Sequence, residues 1–384
     1  MADGKKKADI CDYIDWRGDL TFACAPLNEV DALIFCQLSY LNFSGIVPHS
    51  LDTLCTLSEL SARYFASGDF AARSDLGMLI DPKSNELLQK AAGSERFKHV
   101  AVTGFVSEYN QEKEEQFSAV TFVLPAASAA SAKQVFVAFR GTDDTIVGWK
   151  EDFNLAFMER VPAQVDALSY LENAAVHFSD AALFAGGHSK GGNLALYASA
   201  HLNESARQRL LQVYNFDGPG FLQETLDSDA FCSIRPKICS VFPQFSVVGM
   251  LFQHYEPCSV VLSDELLLMQ HNPFSWFVRG THFETKSAFD AGSALFFRSF
   301  NAWFGSIKPE QREQFVETLF GLLDATDALT NTELSRDITK NTGKILKAFA
   351  SLDKEIRDEA VKLAGDFIKT VIAEAIDRKS TRLN

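Results

Sequence analysis

Five consecutive residues, Gly187-His188-Ser189-Lys190-Gly191, constrain this chain more than any other feature. They follow a short apolar run, AALFAG (181–186), and open a segment of helical texture, NLALYASAHL (193–202). A G-x-S-x-G between a strand and a helix predicts a nucleophile elbow. The turn is too tight for bulky flanking side chains, which accounts for Gly187 and Gly191, with Gly186 and Gly192 adding room. Such a turn lifts Ser189 Oγ above the sheet at a helix N-terminus, where the macrodipole favours negative charge. It also aims the Lys190 backbone N–H at a developing oxyanion. His188, beside the serine, is expected to point elsewhere. A phosphate-binding loop needs lysine immediately before the hydroxyl residue, whereas Lys190 follows Ser189, so that rival fails. A plain glycine-rich turn is the other alternative, and the strand before and helix after weigh against it.

The surrounding sequence supplies a sheet for the elbow. AVTGFV (101–106), FSAVTFVL (117–124) and QVFVAF (134–139) read as strands of an antiparallel start. EYNQEKEEQ between the first two is a solvated hairpin loop, and AASAASAK (126–133) is a low-complexity turn. Beyond Thr142 strands alternate with helical segments, with QVYNFD (212–217), KICSVF (237–242) and SVVLSD (259–264) as further strands. That alternation predicts an α/β class with a mostly parallel central sheet and helices on both faces. The stretch from Asn28 to about Phe70 reads as helices packing on something larger. From Pro309 onward the i, i+3, i+4 spacing of amphipathic helices takes over. The expected organisation is a main domain over 1–305 with an N-terminal helical segment, then a helical extension over 306–377. RKSTRLN (378–384) breaks the pattern and is read as a tail outside the fold.

Composition removes several classes of function. There are 36 Lys+Arg against 50 Asp+Glu, a net charge of −14, which argues against nucleic acid. The 33 phenylalanines, with no polar atom to satisfy, imply a bulky interior or an apolar pocket. Seven cysteines, an odd number without any C-x-x-C, suggest neither a zinc knuckle nor a thioredoxin-like site. The lysines at 5–7 precede no apolar stretch, so no secretory signal is expected, and no apolar run is long enough to span a bilayer. The expectation is a soluble cytoplasmic protein with no metal, cofactor or transmembrane segment. Peripheral membrane contact through Lys5–Lys7 and the amphipathic helices is explained more simply by solvated termini and bundle packing. The oligomeric state is not encoded in any pattern.

A serine nucleophile needs a base, an acid and a second oxyanion donor. Phe139-Arg140-Gly141-Thr142-Asp143 follows the QVFVAF strand directly, so the Thr142 N–H, together with its hydroxyl, is a candidate donor. An Arg-Gly turn closing a hairpin is the alternative. DDTIVGWKEDFNLAF, just after it, reads as a helix packed on the sheet or as an apolar flap. In the order Ser…Asp…His the base follows the serine, which leaves His254, His271 and His282, since His201 lies far down the following helix. His271 is preferred over His254 because it follows the last strand-like run and precedes Asn272-Pro273, a loop signal. Asp217 ends the QVYNF strand before Gly218-Pro219-Gly220, at the sheet edge where ligands gather, and can accept from histidine Nδ1. Its plain role is turn chemistry. Asp264 is nearer His271 in sequence, but the intervening loop is tight.

YIDWRGDLTF, PLNEVDALIFCQLSYLNFSGIV, QFSAVTFVLP, VAFRGTDDTIVGWKEDFNLAF, GGHSKGGNLALYA, YNFDGPGF, FPQFSVVGMLFQH and MQHNPFSW together resemble the Mbeg-like family of bacterial proteins. That family is placed in the α/β-hydrolase clan near the class-three (fungal-type) lipases, and the resemblance extends to about residue 375. It implies an α/β-hydrolase fold and lipase or esterase chemistry, with Thr142, Ser189 and His271 matching the lipase layout. The chain departs from that layout at Pro243-Gln244-Phe245-Ser246, where fungal-type lipases keep an aspartate. The combined expectation is a serine hydrolase of carboxylic esters, acyl lipids among them. Ser189 is the nucleophile, His271 the base and Asp217 the acid, with Thr142 and Lys190 forming the oxyanion hole. The alternative is a hydrolase fold kept as a binding or scaffold protein. The distance from Asp217 to His271 separates the two.

Overall fold

A computed structural model describes residues 8–381 except 76, 78, 79, 127–131, 156 and 337. The lysines at 5–7, most of the 126–133 turn and the last three residues therefore lie outside the described residues. Eight strands follow one another in the main sheet: β1 (Cys55–Thr56), β2 (Ala101–Asn110), β3 (Glu115–Leu124), β4 (Gln134–Phe139), β5 (Ala182–His188), β6 (Leu210–Phe216), β7 (Ile238–Pro243) and β8 (Cys258–Val261). After a small hairpin of β9 (Val278–Arg279) and β10 (His282–Phe283), β11 (Thr285–Lys286) closes the far edge of the main sheet. The pairs β1–β2, β2–β3 and β3–β4 are antiparallel, the run from β4 to β8 is parallel, and β11 is antiparallel to β8. The antiparallel start and the parallel continuation are both as the strand spacing predicts.

Both faces of the sheet are covered, which is why the strands read as nearly continuous apolar runs. Along β4 the side chains alternate. Phe136 and Ala138 join a core with the N-terminal helices, while Val135, Val137 and Phe139 join the core on the opposite face. The first face carries α1 (Ile10–Arg17), α2 (Glu29–Leu38), α3 (Leu57–Phe65), α4 (Phe70–Arg73) and α5 (Lys83–Gly93). Asn28 starts α2 by accepting from the N–H groups of Val30 and Asp31, and α2 then lays Phe35 on the sheet. The Phe35 ring stacks on Phe122 at 4.6 Å and meets Phe136 at 5.3 Å, so here phenylalanine forms interior rather than pocket. The opposite face carries α7 (Pro162–His177), α8 (Lys190–His201), α9 (Glu204–Arg209), α10 (Gln223–Leu226) and α11 (Asp229–Ile234). Between β4 and α7 lies α6 (Ile146–Asn154), a packed helix rather than an open flap.

The C-terminal helices begin at Ala291, not at 306: α12 (Ala291–Ser306), α13 (Pro309–Asp324), α14 (Asn331–Arg336), α15 (Ile338–Ser351) and α16 (Lys354–Thr381). Helix α12 packs on α16, with Trp303 Nε1 donating to the Leu363 carbonyl at 3.1 Å and the Trp303 ring meeting Phe367. Helix α16 also runs past the expected break at 378. The extension reaches back to α6: Phe153 packs on Phe320, Lys150 pairs with Glu317 at 3.0 Å, and the Ile146 N–H donates to the Leu329 carbonyl at 3.0 Å. No helix among the described residues is long and apolar enough to cross a membrane.

Replacing the fully buried Phe35 by alanine opens a cavity under the sheet and is expected to cost about 3–5 kcal/mol. Chemical denaturation measures this, and a loss of under about 1 kcal/mol would mean that the ring stack is not a packed core.

Candidate active site

Parallel register brings three strand ends to one edge of the sheet. Phe139 is level with Gly187, and His188 with Phe216, so Thr142, Ser189 and Asp217 all leave the sheet on the same side. Ser189 sits between β5 and α8 with φ 57° and ψ −136°, a conformation that non-glycine residues rarely adopt. The turn is held by the Ser189 N–H, which donates to the Phe216 carbonyl at 2.9 Å. A Cβ at Gly187 would collide with the Gly191 backbone, and one at Gly191 with the Phe139 carbonyl. The two glycines therefore let α8 rise directly off the sheet.

Asp217 and His271 meet. Asp217 Oδ2 accepts from His271 Nδ1 at 2.6 Å, and Oδ1 accepts from the Ser246 hydroxyl at 2.5 Å. Asp217 has no exposure to water and a left-handed backbone, φ 50°. Its carboxylate presses against Gly249, where any Cβ would overlap Oδ1. With Nδ1 donating, His271 keeps Nε2 as its free lone pair. Ser246, which follows β7, thus hydrogen-bonds the carboxylate supplied by the end of β6. Ser189 Oγ makes no hydrogen bond among the described residues.

His188 corrects one expectation: its side chain lies beside His271, ring centroids 4.5 Å apart. Its Nε2 donates to the His271 carbonyl at 2.9 Å, so Nδ1 is the acceptor for the Tyr40 hydroxyl, also at 2.9 Å. Burial and the neighbouring His271 push His188 well below the usual histidine range, which keeps the ring neutral. Strand alternation carried this signal, since His188 shares its face with Phe184, the face covered by the N-terminal helices.

The Thr142 side of this edge is held by α6. The Thr142 hydroxyl donates to Asp152 Oδ2 at 2.5 Å and is committed there, so only its backbone N–H remains as a donor. The N–H groups of Thr142 and Lys190 have no hydrogen-bond partner among the described residues. Desolvation pushes the Asp152 carboxyl up to about 6, against the pull of the Lys190 ammonium and the Thr142 hydroxyl. Sequence reasoning used Lys190 only for its backbone, yet its side chain is fully buried. Lys190 Nζ donates to Glu151 Oε2 at 2.9 Å, the Gln116 carbonyl at 2.8 Å and Gln116 Oε1 at 3.0 Å. Glu151 in turn accepts from the Gln116 and Ala163 N–H groups. The adjacent carboxylates of Glu151 and Asp152 were visible in the sequence, but their separate partners were not.

The other weighed residues stay apart from this constellation. His254 Nδ1 pairs with Glu256 at 2.9 Å, His282 is largely exposed near Glu29, and Asp264 is exposed. No cluster of His, Cys, Asp or Glu among the described residues is placed to hold a metal ion.

The family model described as Mbeg1-like matches residues 91–321. The chain belongs to the Mbeg1-like family. That match runs from the end of α5 through β2 into α13 and includes every residue of the constellation except Tyr40. No curated protein matches the sequence. Among solved structures, M37 lipase is 14% identical over 58% of this chain and 70% of its own, with a TM-score of 0.35. The Rhizomucor miehei lipase in its propeptide complex is 15% identical over 63% and 75%, with a TM-score of 0.32.

Two outcomes follow from the buried groups. Lys190→Met leaves Glu151 charged and unpaired and is expected to cost about 3–5 kcal/mol in urea unfolding. Adding Glu151→Gln recovers part of that loss, because the amide still accepts from backbone while the charge is gone; strictly additive losses would show that the two side chains are uncoupled. The depressed His188 has the opposite linkage to a paired histidine. The unfolded chain takes up a proton below about pH 6.5 that the folded ring refuses, so this residue makes stability decline on acidification, by up to about 1.4 kcal/mol per pH unit. Histidine NMR resonances followed from pH 8 to 5 should leave the His188 ring unshifted, and a midpoint near 6.5 would contradict its buried, neutral state.

Proposed function

We propose that this chain is a serine hydrolase of the lipase/esterase type, acting on carboxylic esters of acyl groups. The observation that carries the reading is the 2.6 Å contact between Asp217 and His271 at the sheet edge where the strained Ser189 turn emerges. A scaffold that had lost its acid has no use for this contact.

In the proposed cycle His271 Nε2 takes the Ser189 proton as Oγ attacks the ester carbonyl carbon. The oxyanion that forms is held by the N–H groups of Thr142 and Lys190 and by the positive end of α8. Asp217 holds the imidazole in the tautomer with Nδ1–H and stabilises the imidazolium. The tetrahedral species collapses as His271 protonates the departing alkoxide, leaving an acyl-serine. Water, deprotonated by the same nitrogen, attacks that acyl group and releases the acid. In this reading the hydrogen bond from Ser189 Oγ to His271 Nε2 forms once substrate is bound. Asp152 contributes by fixing Thr142, and Lys190 with Glu151 by fixing the first turn of α8.

Labelling with a fluorophosphonate probe tests the assignment. Wild type is expected to label at one serine and Ser189→Ala not at all. His271→Ala should slow labelling on the order of 10⁴–10⁶-fold and Asp217→Asn about 10⁴-fold. A wild type that is folded and silent, in water and with detergent micelles, overturns the reading.

A further inference from the structure

Leu266, Leu267, Leu268 and Met269 are 77%, 62%, 61% and 61% exposed. Four consecutive large apolar side chains in water form a patch that calls for a partner. The loop is built, not frayed. Buried Gln270 ties it down from behind: its Nε2 donates to the Glu265 carbonyl at 3.0 Å, its Oε1 accepts the Phe245 N–H at 2.8 Å, and its carbonyl accepts Trp276 Nε1 at 2.7 Å. Leu267 has a left-handed backbone, φ 51°, which a leucine seldom adopts. Strain is therefore maintained in a segment whose side chains face solvent. The 3-10 turn that begins at Leu267 ends on His271, so the tip and the proposed base belong to one continuous turn.

We propose that Leu266–Met269 is an insertion tip that seats the site on the surface of electrically neutral acyl lipid. This rests on the hydrolase reading and names its substrate class: esters presented in a lipid layer rather than dissolved singly. The tip is only four side chains wide, whereas a stable protein partner needs about 800 Å² of matched surface per side. A fluid hydrocarbon layer requires no matched surface. Charge selects the lipid. The chain from 258 to 278 contains no lysine or arginine, Asp264 and Glu265 adjoin the tip, and the neighbouring hollow is lined by Asp9, Asp81 and these two, with Lys83 as its cation. An anionic membrane would be repelled by such a rim.

Flotation of the full chain with phosphatidylcholine vesicles tests the tip. Wild type and Ser189→Ala should float, and the double variant Leu267→Ser, Leu268→Ser should lose bound fraction by about tenfold or more. In Leu268→Trp, added vesicles should shift the new indole emission to the blue, a gain of signal that a misfolded variant cannot supply. The proposal is overturned if wild type stays in the soluble fraction, if the double variant floats equally, or if the indole emission does not move. Binding only to vesicles containing phosphatidylserine overturns the choice of neutral lipid. A dimer that dissociates in the double variant, without flotation of wild type, assigns the tip to self-association instead. Fluorophosphonate labelling of the wild type is scored separately. Flotation without labelling sinks the hydrolase reading and leaves the tip, and labelling without flotation does the reverse.

Discussion

A carboxylate with no access to water must find its partners inside the protein, and Asp217 is such a carboxylate. Its two oxygens are satisfied by hydroxyl and imidazole groups that arrive from after β7 and after β8, while its own backbone is fixed by the Val241 carbonyl. Three consecutive strand ends are therefore tied through one side chain, and the cost of leaving it unpaired, several kcal/mol, disfavours any other arrangement of these loops. The Ser189 turn inherits this order, because its N–H is bound to Phe216, the residue before the aspartate.

Strain gathers at the same edge. Ser189, Asp217 and Leu267 are non-glycine residues with positive φ, and each lies within or directly beside the proposed site. A rigid sheet with two packed faces can hold such conformations where an isolated loop would relax. Beneath the serine, the Lys190–Glu151 pair does the same for the first turn of α8, fixing from inside the backbone N–H that faces outward.

The legible part of this site was the part written locally. The elbow, the aspartate ending a strand before Gly-Pro-Gly, and a histidine ahead of Asn-Pro each carry their pattern within a few residues, and the sheet's parallel register brings two of the three to one edge. Gly249, Tyr40 and Glu151 were not legible as site neighbours, because each reaches the site from an element whose alignment only the assembled sheet determines. His188 was misread for a different reason. Its orientation was inferred from the turn that follows it, although the strand that precedes it governs where its ring goes. The helical extension was recognised by its spacing but begun too late, since Phe-rich α12 does not show the charged face that marks α13.

That extension alters what counts as a part of this molecule. Residues near 317–332 grip α6, and α6 carries both Glu151 and Asp152, which in turn hold Lys190 and Thr142. The chain thus passes through the sheet once and returns, some hundred and seventy residues after α6 by the spacing of Lys150 and Glu317, to fasten the piece that frames the serine. In mechanical terms the appendage is a keystone set last. Glu151 and Asp152 fasten α6 to the sheet from one side, and the C-terminal helices clamp it from the other, so the frame of the serine is shared between the two ends of the chain.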